Sequence, residues 1–416
     1  TATCWSCECI YNPQVGPLAG TRVTCPSCHL EFKTIDAVRH SGSPPSHKMY
    51  AKMVLTPNRQ KVYLPTDDGD LESYRRAEEM LPELWSFVPQ TAIQPGYNTN
   101  QVLKYNYHHW HQMFNARQLV NIALLVRQIR GIGDPTLRML FAYLLSGTLE
   151  FNNMFCSFKG EGTGAVRHMF SHHILKPERM PIEANLWGTP KSSGAFSTLF
   201  KSRLLRALDY REAPFEVAVD YSGKKKKGRK VFGTCPPLGG EVFDSHPTEG
   251  LPPGSIYLSC GSSTKTDLPD ECVDAVITDP PFFDNVHYSE LADFFFVWQE
   301  LYFGVNASSS ATTRDPEEEV QDVDAGAFAE KLQRVFVECH RVLKEHGLLV
   351  FSYHHSREEG WSAVAKAVCG AGFSFVQGQP VKAEMSVAAP KAQAKEPIDL
   401  DVLLVCRKQS SDLRAR

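Results

Sequence analysis

A chain of 416 residues, 42% hydrophobic and 22% charged, has a soluble globular composition long enough for two or three domains. Its formal net charge of −3 excludes nucleic-acid binding by bulk charge, so any such contact needs a local basic surface. No apolar run is long enough to span a bilayer and no signal peptide opens the chain, which excludes a membrane partner and points to a reducing, cytoplasmic compartment. The first residue is Thr1 rather than Met, which suggests a processed, trimmed or incomplete chain.

Cys4 and Cys7, then Cys25 and Cys28, form two CxxC knuckles with seventeen residues between them, a spacing suited to a tetrahedral zinc site. Disulfides are disfavoured for twelve cysteines in a reducing compartment. Cys9 is close enough to compete with Cys7, and His29 reads as a bystander. So short a segment cannot build a core, so the metal would supply its folding energy, making Zn2+ structural rather than catalytic. The Ser, Gly and Pro run at 41–46 ends this ribbon, giving a first domain over 1–47.

Residues 48–214 read as a mainly helical middle region. A short strand at 61–65 and an acidic turn at 66–70 lead into helices. Leu119, Ile122, Leu125, Val126 and Ile129 recur at helical spacing, as do Leu137, Leu140, Phe141, Leu144 and Leu145 after the break at Gly133, Asp134 and Pro135. The glycines at 160, 162 and 164 follow Phe158 in a Phe-x-Gly-x-Gly pattern. A nucleotide-type loop must follow a buried strand and open a helix, and residues 151–157 do not read as such a strand, so a flexible loop is expected. His168, His172 and His173 lack carboxylate or cysteine partners at ligand spacing, which favours a core or solvated role.

Residues 215–408 form a third region, with 409–416 a tail. Lys224, Lys225, Lys226, Lys227, Arg229 and Lys230 make the one dense positive patch, which is either a solvated loop or a contact for phosphates. A strand at 256–258 is followed by a nearly continuous apolar run at Val273, Ala275, Val276 and Ile277, the pattern of a strand buried on both faces of a parallel sheet. It ends in Asp279, Pro280, Pro281 and Phe282, at the edge where open α/β sheets bind ligands. An amphipathic helix over 328–343, a strand over 347–353, a helix over 361–369 and strands over 373–376 and 400–406 complete the pattern. Cys369, Gly370, Ala371 and Gly372 read as the turn into the first of those last strands. Residues 308–319 read as a polar, acidic, mobile loop.

The four residues from Asp279 suit methylation of an exocyclic nucleobase amine, a poor nucleophile because its lone pair is delocalised into the ring. The Asp279 carboxylate and the Pro280 carbonyl can accept both N–H bonds and favour a tetrahedral nitrogen aimed at a methyl donor. The carboxylate can receive or relay the proton lost afterwards. Pro281 stiffens the turn, and Phe282 offers a ring on which a flipped-out base would stack. An ordinary strand-ending turn is the plain alternative.

Asp-Pro-Pro-Phe resembles the motif of S-adenosylmethionine-dependent amino-methyltransferases acting on adenine N6 or cytosine N4. The longer run from Thr278 through Asp284, His287, Tyr288 and Glu290 to Trp298 resembles the prokaryotic zinc-ribbon-containing DNA adenine methylases. The segment from Trp110 through Asn115, Arg117 and Gln118 resembles the same family, with Ala116 where that family has Pro, as do 152–156, 184–188 and 193–196. The resemblance covers most of the chain. It implies a Rossmann-like S-adenosylmethionine-dependent methyltransferase region, namely the C-terminal part of its sheet, with an N-terminal zinc ribbon and a helical middle region. It also implies DNA as partner and a setting in restriction-modification or phage defence.

Asn115 reads as a helix N-cap, or alternatively as a helix start that faces the cofactor. Many methyltransferases place an acidic residue at the turn after 256–258 to bind the adenine amine of the cofactor. Here Ser262 and Ser263 stand there, leaving Asp267 as a more distant substitute. Neither glycine stretch sits in a strand–loop–helix context, so the first two strands of the sheet and the cofactor loop are expected upstream of Thr1 or in another chain. The strand over 273–278 would then keep an unpaired edge or exposed faces. Other amine acceptors in RNA or protein, and a non-catalytic nucleic-acid-binding subunit on a methyltransferase-like scaffold, remain the alternatives.

Overall fold

A computed structural model describes residues 2–12, 18–19, 21–158, 165–172, 175–178, 180–189, 192–220, 227–235, 240–247, 249–284, 286–303, 312–382 and 400–409. The chain is mixed α/β and forms two compact units. The first comprises Thr1–Arg206 with Tyr288–Thr313, and the second Ala207–His287 with Arg314–Arg416. The region expected over 215–408 is therefore interrupted by one helix that belongs to the first unit.

In the first unit the helix α1 (Ala116–Arg130) starts at Asn115, whose side chain accepts the N–H of Gln118 while Gln118 Oε1 accepts that of Asn115. This reciprocal cap satisfies two N–H groups that a helix start leaves unpaired. Leu119, Ile122, Val126 and Ile129 are buried at the predicted spacing, with Leu125 partly so. Asp134 caps α2 (Pro135–Leu149), whose proline occupies the first helical position, where no N–H is needed. Leu144 and Leu145 are buried, but Leu137 in the first turn is half exposed.

The third helix of this unit, α3 (Tyr288–Phe303), buries Phe294 and Trp298 completely. Phe294 stacks on Phe114 at 5.8 Å between ring centroids, and Trp298 meets Phe114 edge-on at 5.3 Å. Each such ring stabilises the fold by roughly 1.5–3 kcal/mol through burial alone. The same helix carries Glu290, a buried carboxylate that accepts the backbone N–H groups of Tyr97 (2.8 Å), Asn98 (2.7 Å) and Thr99 (3.0 Å). A buried charge costs several kcal/mol unless its acceptors are filled, and here three donors fill them. Asp293, one turn on, takes the N–H of Thr313 at 2.6 Å.

The second unit is organised on a four-stranded sheet, β1 (Val273–Thr278), β2 (Leu343–Tyr353), β3 (Phe373–Lys382) and β4 (Leu400–Lys408), in the order β1-β2-β4-β3. β1 and β2 run parallel, with Ile277 opposite Val350 and Thr278 opposite Phe351; β4 is antiparallel to both its neighbours. Two helices, α4 (Ala325–Val342) and α5 (Glu358–Gly370), follow β1 and β2 in the chain. The hydrophobic core joins their apolar faces to one face of the sheet, where Leu349, Phe351 and Tyr353 meet Leu332, Phe336, Val364 and Val368. Gly372, in the left-handed region at φ 82°, makes the predicted turn from α5 into β3.

The apolar pattern of β1 suggests burial on both faces, which the structure corrects, whereas the exposed face and unpaired edge expected for a sheet lacking its first strands are seen among the described residues. Val273 and Val276 pack on the core, but Ile277 is 80% exposed and Ala275 is exposed too. The physical reason is the position of β1 at the sheet edge, with β2 as its one paired strand among the described residues. The strand at Ile256–Tyr257 pairs instead with Val242–Phe243, in a separate two-stranded sheet.

Candidate functional site: a corner at Asp279 and a four-cysteine cluster

Successive β-strand side chains alternate faces, so Asp279 follows Ile277 on the side of the sheet away from the helices, while Pro280 turns inward and is buried. The Asp279 carboxylate is exposed and its Oδ1 accepts the hydroxyl of Ser352 on β2. Phe282 is half buried, edge-on to Tyr353 at 5.4 Å and tilted against His354 at 4.5 Å. Phe283 enters the core at φ 47°, a conformation that a bulky side chain rarely adopts. Its ring lies 5.6 Å from Phe328 and 5.4 Å from His355.

The turn is clamped from the far side. Asp284 accepts from His355 Nε2 at 3.3 Å and from the Arg357 guanidinium, which also lies 5.3 Å from the Phe283 ring. Burial raises the Asp284 carboxyl, but Arg357 and His355 outweigh it and hold the group below the usual carboxylate range. Trp361 donates its indole N–H to the His355 carbonyl at 3.0 Å, and a Cβ on Gly360 would come within 2.5 Å of the His355 ring. The loops after β1 and β2 are thus fixed to each other. An exposed carboxylate, a prolyl turn and an aromatic ring converge at the carboxyl ends of two parallel strands, which suits hydrogen bonding to a planar polar ligand.

Ser352, Asp284, His355 and Arg357 carry this geometry and are absent from the sequence-based site. Their signal is topological: 352 follows the run 347–351 at the end of the next parallel strand, one step past the Thr278–Phe351 pair.

The residues expected at a cofactor are engaged by the chain itself. Ser262 donates to Glu318 Oε2 at 2.5 Å, and Asp267 accepts the hydroxyl of Tyr257. The following turn is locked by Glu338, which takes Thr266 N–H at 2.7 Å and Arg341 Nη2 at 2.6 Å; the Arg341 hydrogen bonds hold its carboxyl down at about 2. Asn115, in the first unit, donates to Glu183 at 2.8 Å besides capping α1, and Arg117 pairs with the same carboxylate at 2.6 Å. Each of these three positions is thus hydrogen-bonded within its own unit.

The glycines at 160, 162 and 164 lie outside the described residues, but Ser157 and Phe158 before them pair antiparallel with Val166 and Arg167 after them, so the flanks form a hairpin. His168 pairs with Glu150, and His173 lies outside the described residues. Of the basic patch, Lys224, Lys225 and Lys226 also lie outside them. Lys227, Arg229 and Lys230 fall on the strand Lys227–Phe232, paired with Phe215–Asp220. Arg229 is exposed, and Lys230 Nζ sits 4.0 Å from the Phe215 ring centroid.

The cysteine cluster is closed. The sulfurs of Cys4, Cys7, Cys25 and Cys28 all lie within 4.8 Å of one another, with Cys4–Cys28 at 3.7 Å and Cys7–Cys25 at 3.6 Å. A tetrahedral ion with roughly 2.3 Å bonds to sulfur would separate its ligands by about 3.8 Å. A disulfide would need about 2.05 Å, and all four cysteines are free. The two knuckles are built alike. Glu8 and His29, both left-handed at φ 58° and 59°, donate to the Cys4 and Cys25 carbonyls at 2.9 and 3.0 Å. Cys4 and Cys25 donate in turn to Cys9 and Leu30.

By this correspondence Cys9 matches Leu30 and His29 matches Glu8, so both stand outside the ligand set. The N–H of Cys28 is foremost in lowering the Cys25 thiol to about 6. Cys28 is pushed up to about 12, since burial and the three neighbouring sulfurs outweigh the Leu30 N–H that lowers it. Thiols this close cannot all ionise alone, and a divalent cation such as zinc removes that conflict.

No protein-family model matches this chain, and no curated protein matches it. Among the described residues no helix is long and apolar enough to cross a membrane.

Proposed function

We propose that this protein is an S-adenosylmethionine-dependent amino-methyltransferase of the zinc-ribbon DNA adenine methylase kind, acting on the exocyclic N6 of adenine in DNA. The observation that carries the reading is the Asp279 carboxylate, exposed at the carboxyl end of β1 and flanked by Pro280 and Phe282. The strand order β1-β2-β4-β3, with its antiparallel last pair, supports a Rossmann-like methyltransferase sheet in its C-terminal part. The methyl donor, when bound, supplies an electrophilic methyl group. Asp279 and the Pro280 carbonyl accept the two amine hydrogens, Phe282 stacks the extruded base, and Asp279 receives or relays the departing proton. The exposed Arg229 and the basic residues before it would meet phosphates.

On this reading the donor cradle comes from further strands beside β1, carried by an upstream segment or a second chain. The exposed Ile277 and the edge of β1 that no described strand shares support that. Cytosine N4 and amines of RNA or protein are the nearest alternatives in substrate. A non-catalytic nucleic-acid-binding subunit is favoured by one observation, the engagement of Ser262 and Asp267 within the chain. Calorimetric titration with S-adenosylmethionine separates the two classes. Micromolar binding by this chain, alone or with whatever strands complete its sheet, supports the enzyme, and none in either form supports the scaffold.

A further inference from the structure

The geometry points to Ser352 as the positioning residue for Asp279, a role that rests on the amino-methyltransferase reading above. An exposed carboxylate rotates about its last torsion, and a reaction that needs one oxygen aimed at an N–H gains from any contact that stops it. Ser352 provides that contact by donating its hydroxyl to Oδ1. The donor is itself well fixed. Ser352 sits on β2, the inner strand that pairs with β1 on one side and β4 on the other, opposite Leu403. Its neighbours Phe351 and Tyr353 are fully buried, and the Tyr353 hydroxyl is tied to the Gly360 carbonyl at 3.1 Å.

With Oδ1 held by Ser352, Oδ2 is the oxygen left for the amine, and the Pro280 carbonyl takes the second hydrogen. The hydroxyl donates and keeps its proton throughout, so Ser352 touches neither substrate nor methyl group. It acts by keeping the carboxylate in one orientation in the ground state, so that none has to be selected during the reaction. Ser352 is partly exposed and on a strand, where alanine leaves no large cavity and threonine retains the hydroxyl.

The test uses the full chain with any upstream segment, tritiated S-adenosylmethionine and adenine-containing plasmid DNA. Losing one charge-assisted hydrogen bond should lower kcat about 10-fold in Ser352→Ala, with KM unchanged, and Ser352→Thr should restore most of it. In parallel, the 13Cγ resonance of Asp279, identified by its loss in Asp279→Asn, should move in Ser352→Ala and return in Ser352→Thr. Wild-type kcat in the alanine variant, or a carboxyl resonance that does not move, overturns the role. If the wild type transfers no methyl group while the resonance behaves as expected, the methyltransferase reading fails and the orientation of Asp279 by Ser352 stands.

Discussion

The cysteine cluster and the Asp279 corner are both small constellations of polar groups, but they are held in opposite ways. Around the four sulfurs, Tyr11 and Val23 are the only other buried hydrophobic residues among those described, so the ligands must carry the geometry themselves. The corner instead rests on a continuous core of sheet and helices, and its polar groups are fastened to that core by Phe283, Asp284 and Arg357. A site without a core should therefore collapse when its ligands are lost. A site on a core should lose function first and stability little.

The largest expected effect is at the cluster. Bound structural zinc is worth on the order of 10 kcal/mol in such small modules. Replacing Cys4 and Cys25 together by serine should take zinc content from one per chain to none and abolish amide-exchange protection over 2–40, leaving the β1–β4 sheet protected. Metal analysis and hydrogen exchange read both. Zinc retained in full by the double variant would contradict the ligand set.

Breaking the clamp should cost less. Asp284→Ala leaves Arg357 and His355 without their shared acceptor, and a loss of about 2 kcal/mol is expected because charge-assisted bonds are removed at a half-buried position. Chemical denaturation measures it, and a change below about 0.5 kcal/mol, the range of ordinary surface substitutions, would mean that the core alone fixes the turn.

A subtler effect concerns pH. The carboxyl of Glu338 is lowered in the folded protein to about 2, chiefly by Arg341. Its stabilising contribution is therefore complete above the ordinary glutamate value, about 4.3, and fades as pH falls from there toward about 2. Glu338→Gln should be less stable than wild type at pH 7, with the difference shrinking through that window. A difference independent of pH would show that packing rather than charge holds Thr266 and the turn after it to α4.

Much of this was legible in residue types alone. Spacing identifies the four cysteines because metal coordination is local in sequence, and the 347–353 strand and 361–369 helix are visible because each buries a regular stripe. Leu137 and Ile277 show where that logic stops. Both are apolar and in pattern, yet both are exposed, since pattern shows that a residue suits a core and not whether a neighbour covers it. The partners of Asp279 and Asp284 were hidden for a related reason. Ser352, His355 and Arg357 lie about seventy residues away, and only the parallel pairing of β1 with β2 brings them to the corner.

On the proposed methyltransferase reading, Asp279 does chemistry rather than holding the fold. Incubating DNA with S-adenosylmethionine and either the complete protein or its Asp279→Ala variant, then digesting to nucleosides for mass spectrometry, tests this directly. The account predicts N6-methyladenine from the wild type and a loss of at least about 100-fold in the variant, the scale for removing a key electrostatic group, with its thermal midpoint unchanged. Equal methylation by the two proteins, or a variant that unfolds, would contradict it.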